Sequence, residues 1–344
     1  MEKRAPLFVL LLLSLGVALT LVSFTWGQYA VPLKSLFSLL GDRVMTWVSG
    51  GPLSYEGYTD AHYRVVTLIR MPRVLLAGGV GCALALAGCL FQALFRNPLV
   101  SPGLLGASNG AAFGAALALI FELNRTVVST FALGFGLASV ALVFLLSRPI
   151  RVGRTLGLVL CGLLVSTLFQ AGLSFLKLAA DPTDKLPTIT YWLMGSLTGA
   201  RWSDLLWLFP LLPPVAVLLF LLRRPLTALT LPEVECRALG VNVPLMRGVL
   251  LVCSTLLTAA AVSVSGVIGW VGLMVPHLAR MLVGDDQEKV LVTSALLGWI
   301  FLLAVDDVAR LALSRELPLG ILTSLIGAPF YFFLLLRRGG WERD

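Results

Sequence analysis

Three arginines stand out by type and setting: Arg70 and Arg73 in Arg70-Met-Pro-Arg73, and Arg310 in Asp306-Asp307-Val-Ala-Arg310. Each lies beside the predicted end of an apolar run. A guanidinium in that position either snorkels its charge to a membrane interface or is kept there for a functional reason. Asp306 and Asp307 put two adjacent carboxylates near Arg310 and could hold it in place. The uncharged polar groups Gln92, Ser166, Thr167, Gln170 and Ser174 fall inside apolar runs. There they line a path or bond to neighbouring backbone.

The chemistry that is missing narrows the choice. No lysine among the five follows a glycine, so there is no P-loop. There is no HExxH, and two histidines, His62 and His277, cannot build a multi-histidine metal site. The five cysteines show no CxxC or Cys/His spacing, and Cys82 and Cys89, seven apart, read as packing on one helix face. No catalytic residue and no metal ligand is expected. The middles of the apolar runs lack Asp, Glu, Lys and Arg. That opposes ion-coupled secondary transport, which needs a charge that changes partner, and hydrolysis at membrane depth.

The elements that must position these residues follow from composition. Of 344 residues 58% are apolar and only 13% charged, with 33 glycines and a mean hydropathy of +0.93. A soluble globule cannot bury that much apolar surface, so soluble enzymes, disordered or fibrous chains and disulfide scaffolds are excluded. What remains is an all-α polytopic membrane protein. The net charge of +8 does not point to nucleic acid, because the basic residues lie in small groups between apolar runs. Ten spans are predicted, at 5–26, 74–95, 103–121, 126–146, 155–178, 191–222 (with a lead-in), 248–266, 267–283, 290–311 and 318–336. The loops holding Arg96, Arg148, Arg151, Arg154, Arg223, Arg224, Arg237 and Arg247 mark the cytoplasmic side. Both termini then lie in the cytoplasm, and residues 27–69 form an outer loop. Residues 223–247 form a cytoplasmic loop in which Leu231, Val234, Ala238 and Val241 recur with helical spacing before the stop at Gly240. Such a short helix suits docking to a partner or lying on the membrane surface. Gly106, Gly110 and Gly114 form a small-residue stripe for close helix packing.

The motifs also carry a resemblance. Arg70-Met-Pro-Arg73 precedes a Gly/Ala-rich helix, followed by Gln92-Ala-Leu-Phe-Arg-Asn97-Pro-Leu99 and Pro102-Gly-Leu-Leu-Gly106-Ala-Ser-Asn109-Gly110. Gly266-Val-Ile-Gly-Trp-Val-Gly-Leu-Met-Val-Pro276-His277-Leu-Ala-Arg280, Asp307-Val-Ala-Arg310 and Glu316-Leu-Pro318-Leu-Gly320 come later. In this order they resemble the FecCD family of permeases, the membrane subunits of type II ABC importers for iron–siderophores, haem and cobalamin.

The resemblance implies a single permease domain over 1–344 in the plasma membrane of a bacterium or archaeon, the inner membrane if Gram-negative. It implies a second permease copy, two cytoplasmic ATPase subunits and an extracytoplasmic binding protein as partners, beside the lipid bilayer. ATP and Mg would sit on the ATPase subunits, with no cofactor on this chain. It assigns binding-protein docking to Arg70, Arg73 and Arg310, and ATPase coupling to Leu231, Glu233, Arg237 and Gly240. It places a cytoplasmic gate at Asn97, Leu99 and Thr155. Gln92, Ser166 and Gln170 are the pathway candidates. The implied action is alternating access for a bulky metal chelate, an iron–siderophore first, with haem or cobalamin as alternatives. An ATPase-independent secondary transporter is the reading from another class.

Overall fold

The structure is a computed structural model and describes residues 5–49, 53–54, 56–149, 154–229, 231–313 and 315–338. Among the described residues the regular elements are all helices. Among the same residues seven helices are long and apolar enough to cross a membrane, and three shorter apolar helices bring the total to ten. In chain order these are α1 (Ala5–Thr25), α3 (Asp60–Phe95), α4 (Ala107–Ile120), α5 (Arg125–Ser147), α6 (Arg154–Ala179), the broken span α8–α9 (Trp202–Leu208 and Leu212–Leu221), α12 (Val243–Ser265), α13 (Val271–Val283), α14 (Gln287–Leu311) and α15 (Leu319–Arg338). Between them lie α2 (Leu33–Ser49), α7 (Lys185–Leu193), α10 (Arg223–Ala228) and α11 (Glu233–Ala238). The face where α1 begins is called the first face and the face where it ends the second.

α3 is the central element. Of its hydropathic window 89% is buried, and it packs against α12, α13 and α14. The packing is backbone to backbone, because a Cβ on Gly81 would lie 2.1 Å from the Gly298 carbonyl oxygen of α14. In the same way Gly110 and Gly114 of the predicted stripe back onto the Phe135 and Phe131 carbonyls of α5. Without a hydrophobic drive between helices in lipid, such close approach supplies the packing energy. The periphery is the converse: only 22% of the window in α1 and in α6 is buried.

Several predicted boundaries shift. The second span begins at Asp60 rather than 74, so Arg70 and Arg73 lie inside a 36-residue helix and not beside its end. A π-helical turn at Val65–Arg70 interrupts it. Such a turn releases a backbone carbonyl, and the Thr67 carbonyl accepts the Trp202 indole N–H at 3.0 Å. The predicted outer loop 27–69 therefore carries α2 and the start of α3. The sixth span begins at Trp202, and its lead-in is the separate helix α7. Pro210, Pro213 and Pro214 account for the break between α8 and α9. The seventh span begins at Val243, which shortens the predicted 223–247 loop, and the eighth begins at Val271. The break between them turns on Gly266, whose φ of +69° and a Cβ position 2.3 Å from the Trp192 carbonyl oxygen admit only glycine.

Candidate functional site: an ion cluster at one face, a short exposed helix at the other

At the second face the three arginines converge on the carboxylates of α14 and the loop after it. Arg73 donates through Nε and Nη2 to Asp306, at 2.8–3.1 Å, and through Nη1 to both oxygens of Glu316 at 2.8 Å. Arg310 pairs with Asp306 at 3.3 Å and with Asp307, one turn back on the same helix. Asp307 also accepts the Ser23 hydroxyl at 2.5 Å. Arg70 donates to the carbonyls of Phe24 at 2.7 Å, Thr25 at 3.0 Å and Tyr29. Phe24 and Thr25 end α1, so a guanidinium satisfies the orphan carbonyls of that helix and opposes its dipole. Arg310 adds 3.4 Å contacts to the carbonyls of Ser23 and Trp26. α1, α3 and α14 are thus tied at one end by a cluster of three cations and three anions. The sequence reading is corrected on one point: these arginines are 4%, 7% and 8% exposed and face inward, because the carboxylates of α14 and Glu316 draw them there.

Glu316 extends the cluster to the α7–α8 loop by accepting the Thr198 hydroxyl at 2.5 Å. Burial acts to raise its pKa. The hydrogen bonds from Arg73 and Thr198, with the charges of Arg73 and Arg310, outweigh this and hold it below the ordinary 4.5. A carboxylate whose folded pKa is depressed stabilises the fold above its unfolded pKa, and that stability is lost as pH falls through the folded value. We expect Glu316→Gln to melt at a lower temperature than wild type at pH 7. The gap should close as pH falls below 4.5, read by thermal denaturation of the purified proteins. A gap that stays constant with pH would mean that the carboxylate charge is not what Glu316 contributes.

The first face is built around the end of α3. Arg96 takes a left-handed conformation, φ +48°, and stops the helix. The Leu99 N–H then donates to the Asn97 side chain at 2.9 Å, making an Asx turn. Tyr331 of α15 donates to the Pro98 carbonyl at 3.3 Å, so this turn is joined to the last span. Arg96 itself donates to the carbonyls of Leu229, at 2.9 Å, and Leu231. It therefore fastens α3 to the segment that carries α11. Thr155 lies in the first turn of α6, and its side chain is outside the described residues.

On α11 the carboxylate of Glu233 meets Arg237 at 2.6 Å and Arg247 of α12 at 3.2 Å. The hydrogen bond from Arg237, then the charge of Arg247, hold its pKa below the ordinary range. Cys236 is the buried anchor, donating to the Ala228 carbonyl at 2.8 Å. Leu231, Val234 and Leu239 are exposed, and Gly240 closes the helix at φ +76°. The predicted apolar spacing is real, but much of it faces away from the bundle.

The pathway candidates separate. Gln92 is 2% exposed and spent on packing: it donates to the Leu273 carbonyl at 3.3 Å and accepts from Arg280, joining α3 to α13. That removes it from an open path. Ser166 is half-buried on α6, where its hydroxyl oxygen lies 3.0 Å from where a Cβ on Gly106 would be. Gln170 is exposed, and so are Thr167 and Ser174 on the same helix face. The Thr167 and Ser174 hydroxyls bond back to Leu163 and Gln170 carbonyls, which leaves the face polar and uncharged.

The match to known proteins now has its geometry. The FecCD transport family covers residues 12–338. This chain belongs to that family. It is similar to the molybdate import system permease protein MolB of Haemophilus influenzae, 40% identical over 327 residues that cover 94% of each chain. The hemin transport system permease protein HmuU of Yersinia pestis is 42% identical over 286 residues, 81% of this chain and 85% of its own. The cobalamin import system permease protein BtuC of Halobacterium salinarum is 37% identical over 318 residues, 92% and 84%. A solved structure described as an inward-facing conformation of an ABC transporter of the metal-chelate type superposes with a TM-score of 0.84. It is 36% identical and covers 96% of this chain and 99% of its own. The FecCD chain described here is a multi-pass membrane permease of a type II ABC importer.

Proposed function

We propose that this permease passes a bulky metal chelate, an iron–siderophore complex in the first instance, from an extracytoplasmic binding protein to the cytoplasm by alternating access. Haem and cobalamin are the neighbouring alternatives. The polar, uncharged face of Thr167, Gln170 and Ser174 on the peripheral helix α6 carries the reading. The Gln170 amide is ill suited to lipid, while the Thr167 and Ser174 hydroxyls beside it are satisfied by the backbone. Together they suit the wall of a pore between this chain and a second copy. A wall without fixed charge lets a bulky ligand pass without being held.

In this reading the first face is cytoplasmic, and both termini lie there. α11, with Leu231, Glu233, Arg237 and Gly240, meets one of two ATPase subunits, which bind ATP and Mg. The Asn97–Leu99 turn and the start of α6 at Thr155 form the gate. The binding protein docks at the second face. For Arg70, Arg73 and Arg310 to take part, its carboxylates must compete with Asp306, Asp307 and Glu316 for guanidiniums that are already paired.

One observation favours a second cargo. The permease of a molybdate system is 40% identical across nearly the full chain, so a small oxyanion belongs in the test. Labelled iron–siderophores, haem, cobalamin and molybdate are offered separately to a deletion strain carrying wild-type or Gln170→Trp permease. Loss of one cargo on deletion, restored by wild type alone, names the substrate and supports Gln170 as pore wall. Full uptake through Gln170→Trp overturns the pore assignment. Uptake that persists with the ATPase inactivated overturns the importer reading in favour of secondary transport.

A further inference from the structure

Between α3, α9 and α14 an apolar groove of about 230 Å³ opens at the side of the helix bundle. Cys82 and Leu86 of α3, Leu219 and Phe220 of α9, and Leu291 and Ala295 of α14 form its walls. It exists because the prolines that break the sixth span leave α9 short and loosely seated: Leu212, Val215 and Leu219 are buried, while Val217, Leu218, Phe220 and Leu221 are exposed. Along α14 the groove runs from Glu288 to Leu296, roughly 12 Å at the helical rise per residue. Its walls belong to three spans, so it lies within the hydrocarbon layer, where the apolar chains at hand are acyl chains.

The mouth of the groove is charged. Arg223 and Glu288 meet there at 3.2 Å, through Nη1 of the arginine. The Arg223 guanidinium lies over the Phe220 ring at 4.2 Å, at the end of α9, where the groove reaches the interface. Arg224 beside it is exposed and has no ion pair among the described residues. Glu288 is taken by Arg223 and Asp286 by Lys289, so among the described residues the Arg224 guanidinium is the one left without a carboxylate beside the mouth of a slot that would take part of an acyl chain. Guanidinium is the group that best matches phosphate geometry.

We propose that this groove is a binding site for an anionic phospholipid, one acyl chain lying between α3, α9 and α14 and the phosphate held by Arg223 and Arg224. The lipid would brace the α9–α10 junction, from which the chain leads to α11. The site is independent of which cargo the permease carries.

The test uses the purified full-length permease in detergent, with native mass spectrometry and thermal melting as readouts. Phosphatidylglycerol, phosphatidylcholine and inorganic phosphate are the probes. Phosphatidylglycerol should remain bound and raise the melting temperature, with phosphatidylcholine weaker and inorganic phosphate without effect. Arg223→Gln and Arg224→Gln should each weaken phosphatidylglycerol binding roughly five-fold. Ala295→Trp should abolish it by filling the slot, and Val292→Phe at the groove's exposed edge serves in its place if the tryptophan variant does not fold. Equal binding of the two lipids overturns the role of the arginines. Equal stabilisation by inorganic phosphate makes this an anion site without a lipid, and retention unchanged by both groove-filling variants puts the lipid elsewhere.

Discussion

Replacing Asp306 by alanine should cost the permease about 3–5 kcal/mol of stability, the range for removing one partner from a buried ion pair. Asp306 has no exposed surface and, among the described residues, is the one carboxylate in ion pairs with both Arg73 and Arg310. Without it, Arg73 keeps only Glu316 and Arg310 keeps only Asp307, and a buried guanidinium surplus remains at the junction of α1, α3 and α14. Asp306→Asn should lose a large part of the same amount, since it keeps the volume and removes the charge. The pair Arg73→Met with Asp306→Leu should regain only part of it: an apolar pair replaces the Arg73–Asp306 ion pair, but Glu316 loses both its bonds from Arg73 and Arg310 still loses Asp306. Thermal unfolding in detergent, followed by light scattering and tryptophan fluorescence, reads all three. A cluster that served docking alone would leave the melting temperatures unmoved and lower only the affinity for the binding protein. Partly restored stability with lost docking in the double variant would assign the arginines both roles.

Why this cluster was only half legible in the sequence is a matter of range. The three arginines announced themselves by charge at the edge of apolar runs, and Asp306 and Asp307 stood at the helical spacings that reach Arg310. Glu316 is 243 residues from Arg73, and nothing local ties the two together. The same arginines hid the start of α3, because a hydropathy pattern stops at unpaired charge and cannot know that the charge is paired. Gln92 read as a polar group at depth, which it is. Its partners, Leu273 and Arg280, lie some 180 residues on and turn it from a pore candidate into a brace. By contrast α11 was legible from Leu231 to Gly240, since its apolar spacing and its stop are both local. Only the direction it faces needed Cys236, Arg247 and the rest of the first face in place.

Gly88→Ala should be nearly as severe as the loss of Asp306, though it adds a single methyl group. A Cβ at Gly88 would lie 1.7 Å from the Gly272 carbonyl oxygen and 2.5 Å from its carbon. Both neighbours are backbone, so no rotamer change relieves the clash, and α3 and α13 must separate. Overpacking a core usually costs about 1–3 kcal/mol, and a backbone-on-backbone contact has no softer side chain to yield. The damage should spread one turn along α3, because Gln92 holds Leu273 and Arg280 of α13 only while the two helices are in contact. The expected result is a lower melting temperature and loss of uptake in the same variant. Gly272→Ala should share both, since its Cβ would lie 2.8 Å from the Leu84 carbonyl oxygen and 2.7 Å from the Pro102 ring. The milder clash predicts the smaller loss. Gly248→Ala, where nothing lies within 4 Å of the added carbon, is the control and should behave as wild type. Equal tolerance at all three positions would mean that α3 and α13 are not in backbone contact, and the bundle would then have to be closed by side chains alone.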